Sequence, residues 1–269
     1  MNTFVKKSLS CLVLSLSAAS ASTVNAAESS SIVFVHGAHF NADSWQPLQE
    51  QLNNQVTSYA VNLPGRNDNI LPEKVTLDIA ATSLCSFMAS IPEEKKMVVA
   101  HSQGGAIVNA SLSVCPDESI EKIVYVTAVA PLEDEGVFTK LNKADETHYF
   151  SGIHFNEQKQ SLEISNQQNF ANSFAQDANP SQQEWLVKNA VAEPAPIGEA
   201  KLKLNKERFN EVNKYYVYAK RDQIISLESQ QKIAKDLDLK ASFEIDSGHL
   251  PMLTKTEELS DLLIKISEM

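Results

Sequence analysis

Three side chains that together could perform nucleophilic catalysis each follow a predicted strand: Ser102, Asp222 and His249. A serine hydroxyl is a weak nucleophile until a base removes its proton, and the base needs an acid to orient it. The order serine, acid, histidine along the chain is one that parallel α/β sheets use for this purpose. These residues therefore predict acyl transfer through a serine nucleophile.

The serine lies in the stretch MVVAHSQGG, where one apolar run leads into Ser102 and a second apolar run follows at helical spacing. This pattern indicates a strand, a tight turn and a helix, with the hydroxyl exposed at the apex of the turn. The turn requires small residues two positions before and after the serine, and these are Ala100 and Gly104. The alternative is that Ser102 only caps the helix that follows.

The base must come from the three histidines that follow Ser102, namely His148, His154 and His249. The first two lie in a long polar stretch of the chain. His249 directly follows the last predicted strand, so its imidazole belongs at the carboxyl edge of the sheet, where open parallel sheets build their sites. We therefore expect His249 to be the base, and the alternative is an ordinary surface histidine.

The orienting acid should follow the strand that precedes the histidine strand, and Asp222 meets this requirement. Its alternative role is that of an ordinary turn aspartate. The main competitors are Glu133 and Asp134, which follow an earlier strand. Asp246 is a weaker candidate, because it is too near His249 along the chain to meet the imidazole from behind.

Backbone donors are also needed for the negative oxygen that develops during acyl transfer. One should be the N–H of Gln103, at the start of the helix after Ser102. The other should be the N–H of Ala38, because Gly37 ends the first predicted strand in a sharp turn. We expect these two groups to form an oxyanion hole.

The elements that must position these residues alternate between strand and helix along the chain. Short apolar and β-branched runs predict six strands, and amphipathic spacing predicts the intervening helices. This alternation predicts an α/β fold with a mainly parallel sheet covered by helices on both faces. The predicted strands cover residues 31–35, 57–63, 97–100, 120–126, 214–219 and 240–245.

The stretch from about 133 to 205 differs from the rest in being polar, rich in Asn, Gln and Lys, and sparse in apolar residues. We interpret it as a mainly helical insertion that packs as a cap over one end of the sheet. Its aromatic residues are candidates for the substrate pocket, and plain packing of the cap onto the core is their alternative role. The candidates are Phe150, Phe155, Phe174 and Trp185.

The first 26 of the 269 residues have the pattern of a secretory signal peptide. Lys6 and Lys7 precede an apolar stretch that is too short to span a bilayer, and Val24-Asn25-Ala26 fits a cleavage site. The sequence therefore predicts a secreted or periplasmic protein. Its mature part, 27–269, suits one domain with an insertion.

The net charge of the mature chain limits the classes of molecule that it can be expected to bind. Removing the predicted signal takes away two lysines and leaves 21 basic against 34 acidic residues, a net charge of −13. Such a surface disfavours nucleic acid and anionic membranes, and it favours a neutral or cationic small molecule. The sequence leaves the oligomeric state open.

Two cysteines, Cys85 and Cys115, remain after the predicted cleavage, each on a predicted helix beside the central strand. In an oxidising compartment they could form a disulfide, and two buried thiols are the alternative. Neither cysteine has the spacing of a metal ligand, so we expect no metal site.

Several of these motifs together resemble the α/β hydrolases. They are His36-Gly37-Ala38, Leu63-Pro64-Gly65-Arg66, the turns of Ser102 and Asp222, and the tail GHLPMLTKTEEL from Gly248. The tail is similar to the branch that contains plant methyl esterases, hydroxynitrile lyases and bacterial relatives. The resemblance covers the mature chain except the insertion. It implies hydrolysis of a small ester through an acyl-enzyme, without a cofactor.

Within that branch the lyases resemble one another in two positions where this chain differs. They carry a threonine where this chain has Gly37 and a lysine where it has Leu250. The differences favour ester hydrolysis over a carbon–carbon lyase. Ser102 likewise excludes the aspartate nucleophile of related dehalogenases and epoxide hydrolases. A non-catalytic binding protein on the same fold is a further alternative, and it is disfavoured because all three catalytic positions are filled.

Overall fold

The computed structural model describes residue 1 and residues 30–52, 55–66, 70–115 and 120–269. Apart from residue 1, the predicted signal peptide lies outside the described residues. Two groups of strands occur within them, numbered here in chain order. The strands are β1 (Ser30–Val35), β2 (Thr57–Ala60), β3 (Lys95–His101), β4 (Ile120–Val126), β5 (Ile153–Asn156), β6 (Ser161–Ile164), β7 (Glu193–Pro194), β8 (Asn213–Ala219) and β9 (Ala241–Ile245).

Six of these strands form one parallel sheet in the order β2-β1-β3-β4-β8-β9. Successive side chains of a strand point to opposite faces, and 31–35 of β1 and 96–101 of β3 are all buried. Both faces of the sheet are therefore covered, which explains why these strands are nearly continuous apolar runs. The predicted fold class is confirmed.

Helices cover the sheet in two packed groups, α2 with α3 and α1 with α10 and α11. Thr76 begins α2 by accepting a hydrogen bond from the N–H of Ile79. No helix among the described residues is long and apolar enough to cross a bilayer. The helices are α1 (Gln46–Leu52), α2 (Leu77–Ala89), α3 (Gly104–Val114), α4 (Lys143–Tyr149), α5 (Gln167–Phe174), α6 (Pro180–Asn189), α7 (Ala195–Glu199), α8 (Lys206–Glu211), α9 (Leu227–Ala234), α10 (Pro251–Thr254) and α11 (Thr256–Ser267), with 3-10 turns at Ala42–Trp45 and Pro72–Lys74.

The insertion between β4 and β8 is a mixed structure, hereafter the cap, which we define as the elements from α4 to α7. Besides four helices it contains an antiparallel sheet in the order β5-β6-β7. The prediction of a mainly helical insertion missed this sheet, because strands of two to four residues carry too little periodicity to be recognised. One of the contacts between the cap and the core is made by α7, which packs on α2 and on the turn Pro72–Lys74.

A disulfide joins Cys85 of α2 to Cys115 at the end of α3. Their Cα atoms are 5.6 Å apart, which is a common separation for a disulfide. The packing of α2 against α3 brings the two residues together. Of the two possibilities that the sequence left open, the structure has the bridge.

Breaking this disulfide should lower the free energy of unfolding by about 3–4 kcal/mol, because the bridge closes a loop with a sequence separation of 30. Urea denaturation of Cys85→Ser, Cys115→Ser and the double variant measures the loss. Each single variant already opens the bridge, so we expect the double variant to lose little more than either. If the loss of unfolding free energy in the double variant equalled the sum of the losses in the two single variants, a bridge between these two residues would be contradicted.

Candidate active site

Ser102 lies at the apex of the turn between β3 and α3, with a backbone φ of 52°. A non-glycine residue in this left-handed region is strained, and such strain concentrates at functional sites. Two glycines allow the turn to pack against the end of β1. A Cβ at Gly37 would lie 2.6 Å from the Ser102 Cβ, and one at Gly104 would lie 2.7 Å from the Val35 carbonyl oxygen.

The structure brings Ser102, His249 and Asp222 together in one hydrogen-bonded array. His249 Nδ1 is 2.7 Å from Asp222 Oδ2, and His249 Nε2 is 3.1 Å from Ser102 Oγ. A carboxylate only accepts hydrogen bonds, so Nδ1 carries the proton and donates to Asp222. Nε2 then accepts from the Ser102 hydroxyl, which is the direction that deprotonation of the serine requires.

The Asp222 carboxylate is held by three further donors. Its Oδ1 accepts from the backbone N–H groups of Ile224 and Ile225 at 2.7 and 3.1 Å, and its Oδ2 accepts from Thr127 Oγ1. These bonds fix the carboxylate behind His249. Sequence reasoning missed Thr127, although a polar residue directly after β4 is the kind of signal that identified the other site residues.

The competing acids and histidines lie elsewhere. Glu133 accepts from the backbone N–H of Leu204, and Asp246 pairs with Arg221 at 3.1 Å. His148 and His154 are exposed on the cap. None of these four groups hydrogen-bonds to Ser102 or His249 among the described residues.

The two predicted oxyanion donors border the same cavity as Ser102. Gln103 lies directly before α3, and Ala38 lies in the turn after β1. In the described part of the chain, neither backbone N–H donates to a protein acceptor. Both groups are therefore available to an oxygen bound in front of Ser102.

A cavity of about 420 Å³ opens above Ser102, Ala38 and Gln103. Its wall is formed mainly by apolar side chains, and a few polar side chains come from α4 and the residue before it. The wall residues are Phe138, Leu141, Asn142, Lys143, Asp145, Glu146, Tyr149, Phe150, Leu162, Ile224 and Ile225. The described residues contain no group of three or more His, Cys, Asp or Glu side chains placed to hold a metal ion.

Of the four aromatic residues proposed for the pocket, only Phe150 lines it. The prediction is wrong for Phe155, Phe174 and Trp185. The cavity is covered by α4 and the segment before it, whereas Phe155 is exposed on β5 and Trp185 of α6 packs against the core. Phe174 is buried in the core, with its ring centroid 5.6 Å from that of His249.

A cap segment also holds the loops of the acid and the base. Asp177 Oδ2 accepts from the backbone N–H of Gly248 at 2.7 Å, and Gln176 Nε2 donates to the carbonyl of Arg221. Gly248 directly precedes His249, and Arg221 directly precedes Asp222. The cap therefore supports the relative placement of these two loops.

Three fully buried histidines surround the turn of Ser102. Burial lowers the pKa of His36 from 6.5 to about 3, with a further contribution from Arg66, and lowers that of His39 to about 4. Burial also holds the pKa of His101 well below 6.5, and the neighbouring His249 acts in the same direction. Neutral His101 donates from Nε2 to the His249 carbonyl at 2.8 Å, so it supports the backbone of that residue.

These histidines predict a loss of stability in mild acid. Below pH 6.5 the unfolded chain takes up protons on them, whereas the folded chain does not until the pH nears their lowered pKa values. Each histidine should therefore lower the free energy of unfolding by about 1.4 kcal/mol per pH unit as the pH falls from about 6 towards 4. Urea denaturation at several pH values, with His36→Gln for comparison, measures the slope. An unchanged slope in that variant would contradict the assignment for His36.

The sequence is similar to plant esterases over most of its length. It is 26% identical over 249 residues to Methylesterase 7 of Arabidopsis thaliana, which covers 88% of this chain and 95% of that protein. It is also 26% identical to polyneuridine aldehyde esterase of Rauvolfia serpentina, over 92% of this chain and 99% of that protein.

The fold is shared with a solved bacterial structure. An extracellular α/β-hydrolase from a Paenibacillus species superposes with a TM-score of 0.74 at 21% identity, over 88% of this chain and 98% of that chain. It is described as sharing structural and functional homology with tobacco salicylic acid binding protein 2.

The predicted resemblance to the methylesterase branch is confirmed. The model of the alpha/beta hydrolase family matches residues 32–262. The chain belongs to the alpha/beta hydrolase family.

Proposed function

We propose that this protein is a serine esterase that hydrolyses a small carboxylic ester through an acyl-enzyme. The observation that carries the proposal is the array in which Asp222, His249 and Ser102 are hydrogen-bonded in series, with Ser102 at the floor of a mainly apolar cavity. The similarity to proteins named as methylesterases and as an esterase supports ester hydrolysis as the reaction class.

In the proposed mechanism, Ser102 Oγ attacks the ester carbonyl while His249 Nε2 takes its proton. The resulting oxyanion is bound by the backbone N–H groups of Ala38 and Gln103. The tetrahedral intermediate then collapses, and His249 gives the proton to the leaving alcohol. Asp222 keeps the imidazole in the required tautomer and stabilises its protonated form.

Water completes the turnover. It enters where the alcohol left, His249 takes one of its protons, and the hydroxide attacks the acyl carbonyl on Ser102. Collapse of the second intermediate releases the carboxylic acid and returns the proton to Ser102 Oγ. No step of this cycle requires a cofactor.

The shape of the cavity favours esters with a compact apolar part. A volume of about 420 Å³ accommodates a small molecule. Apolar side chains such as Phe138, Leu162 and Ile225 form most of the wall, so recognition of the substrate depends mainly on apolar contact. A macromolecular substrate such as nucleic acid is disfavoured by this cavity and by the negative net charge.

We further propose that the protein is exported through its signal peptide to the periplasm or the medium. The N-terminal pattern and the disulfide between Cys85 and Cys115 support this proposal, because disulfides persist in oxidising compartments. N-terminal sequencing of the protein from a fractionated bacterial host tests it. A mature chain beginning after Ala26 in the exported fraction is expected, and an uncleaved chain in the cytoplasm would contradict it.

A carbon–carbon lyase activity on the same scaffold is disfavoured by two positions. The Cβ of a threonine at Gly37 would lie 2.6 Å from the Ser102 Cβ, so the lyase residue does not fit this turn. Leu250 is buried and brings no ammonium group to the site. Ester hydrolysis is therefore the function that these residues support.

The purified protein assayed on p-nitrophenyl esters of increasing acyl length tests this function. We expect hydrolysis of short and medium chains, with kcat/KM falling once the acyl group exceeds the cavity. A parallel assay of cyanohydrin cleavage should give no product. Cyanohydrin cleavage without ester hydrolysis, or no hydrolysis of any ester, would overturn the proposal.

A further inference from the structure

The turn that carries the Ala38 donor is strained at the next residue, His39, whose backbone φ is 66°. A non-glycine residue keeps this strained conformation only where its surroundings hold it. If the turn relaxed, the position of the Ala38 N–H relative to Ser102 would change. The groups that hold His39 therefore determine whether this donor stays in place.

Those groups come largely from the cap. The His39 carbonyl accepts from the N–H of Val191 at 3.0 Å, and His39 Nδ1 donates to the Val191 carbonyl at 3.0 Å. With its proton on Nδ1, the neutral ring accepts at Nε2 from the hydroxyl of Tyr149 at 2.8 Å. The turn is thus bound to the cap through both its backbone and its side chain.

Glu193 of β7 adds the contact that joins the two oxyanion donors. Its Oε2 accepts from the backbone N–H of His39 at 3.3 Å. Burial raises the pKa of this carboxyl, and the side chain of Gln103 is near enough to lower that pKa slightly against the larger rise. One carboxylate therefore contacts the residue after the first donor and the residue that carries the second.

The Glu193 carboxylate is itself fixed by a buried ion pair with Arg66. Arg66 Nε donates to Oε2 at 2.9 Å and Nη2 donates to Oε1 at 2.6 Å, and both side chains are essentially inaccessible to solvent. This bidentate geometry fixes the orientation of the Glu193 carboxylate. A buried pair is weak evidence for stability, since its desolvation offsets its attraction, so a role in placing neighbouring groups is the better explanation.

We propose that Glu193, oriented by Arg66, is a positioning residue for the oxyanion hole. It comes from the cap and holds the turn after Ala38 and the side chain of Gln103 in one arrangement. The donors are supplied by the core, but their placement depends on the cap. This inference rests on the proposed function of Ser102 as a nucleophile.

The test variant is Arg66→Met/Glu193→Leu, which removes both charges and retains much of the buried volume. Replacing only one partner by an apolar residue would leave the other charge buried without any polar partner and could unfold the protein. Glu193→Gln is the second variant, because its single amide oxygen cannot replace both carboxylate oxygens. Gln182→Ala is the matched control: it breaks another hydrogen bond between cap and core, from Gln182 Nε2 to the Leu253 carbonyl at 2.6 Å.

The readout is the rate of phosphonylation by an alkyl fluorophosphonate, in which Ser102 Oγ bonds to phosphorus, fluoride leaves and the phosphoryl oxygen occupies the oxyanion hole. We expect the rate constant per folded molecule to fall about 10- to 100-fold in the double variant, because loss of one donor costs about 10²–10³. The Kd of a trifluoromethyl ketone should rise by a similar factor. KM for p-nitrophenyl acetate and the pH profile of kcat/KM should change little.

Glu193→Gln should show a smaller loss in the same direction, and Gln182→Ala should match the wild type. Rates within twofold of wild type in both Glu193 variants would overturn the inference, as would equal losses in the Gln182 control. If the wild-type protein is not labelled at Ser102, the proposed function fails, and this inference fails with it. Wild-type labelling with unaffected Glu193 variants overturns this inference alone.

Discussion

Replacing Ser102 with alanine is expected to lower kcat for p-nitrophenyl acetate by about 10⁴–10⁶-fold. Without Oγ no acyl-enzyme can form, and the residual rate is that of water attack in a site that still binds the oxyanion. Affinity for a substrate-like ligand should change little, because the apolar wall is untouched. Initial rates of the purified variant, corrected for the uncatalysed reaction, give the measurement.

The matched control for this variant is Ser113→Ala, also in α3 but exposed at its far end and bonded to the Lys203 carbonyl. It should retain wild-type kcat. A Ser102→Ala protein with more than about a hundredth of wild-type kcat would contradict the role of Ser102, provided that its melting temperature shows it to be folded.

The second large effect is expected for Asp222→Asn, which should lower kcat/KM by about 10⁴-fold. The asparagine amide can present N–H to His249 Nδ1 and so favours a proton on Nε2. A protonated Nε2 cannot accept the proton of Ser102. Rates at pH values from 6 to 9 measure the loss.

Asp246→Asn serves as the control for Asp222→Asn, because it makes the same change on the exposed acid near His249. Its expected kcat/KM is that of the wild type. A large loss in the Asp246 variant, together with near-normal activity of the Asp222 variant, would move the acid role to Asp246.

The core of the fold could be predicted because its signals are local. Most strands of the parallel sheet are apolar or β-branched runs. Each residue of the candidate array lies within four residues after the end of one strand: Ser102 after β3, Asp222 after β8 and His249 after β9. Ser102, Asp222 and His249 could therefore be placed at one edge of the sheet without knowledge of any contact. The parallel arrangement of β3, β8 and β9 then brought them together.

The cap could not be predicted to the same depth because its structure depends on contacts between distant parts of the chain. Phe155 and Phe150 look alike in the sequence, and only the packing of α4 over the cavity separates them. The pair of Arg66 and Glu193 spans 127 residues and leaves no local pattern. Thr127 is the exception, since its place after β4 was visible.

Mass spectrometry of the protein after reaction with a fluorophosphonate tests the central claim most directly. We predict one adduct per molecule, on the peptide that contains Ser102, and none in Ser102→Ala. Labelling should slow sharply in His249→Ala, because the base that removes the proton is missing. An unlabelled wild-type protein, or an adduct on any other residue, would contradict the assignment of Ser102 as the nucleophile.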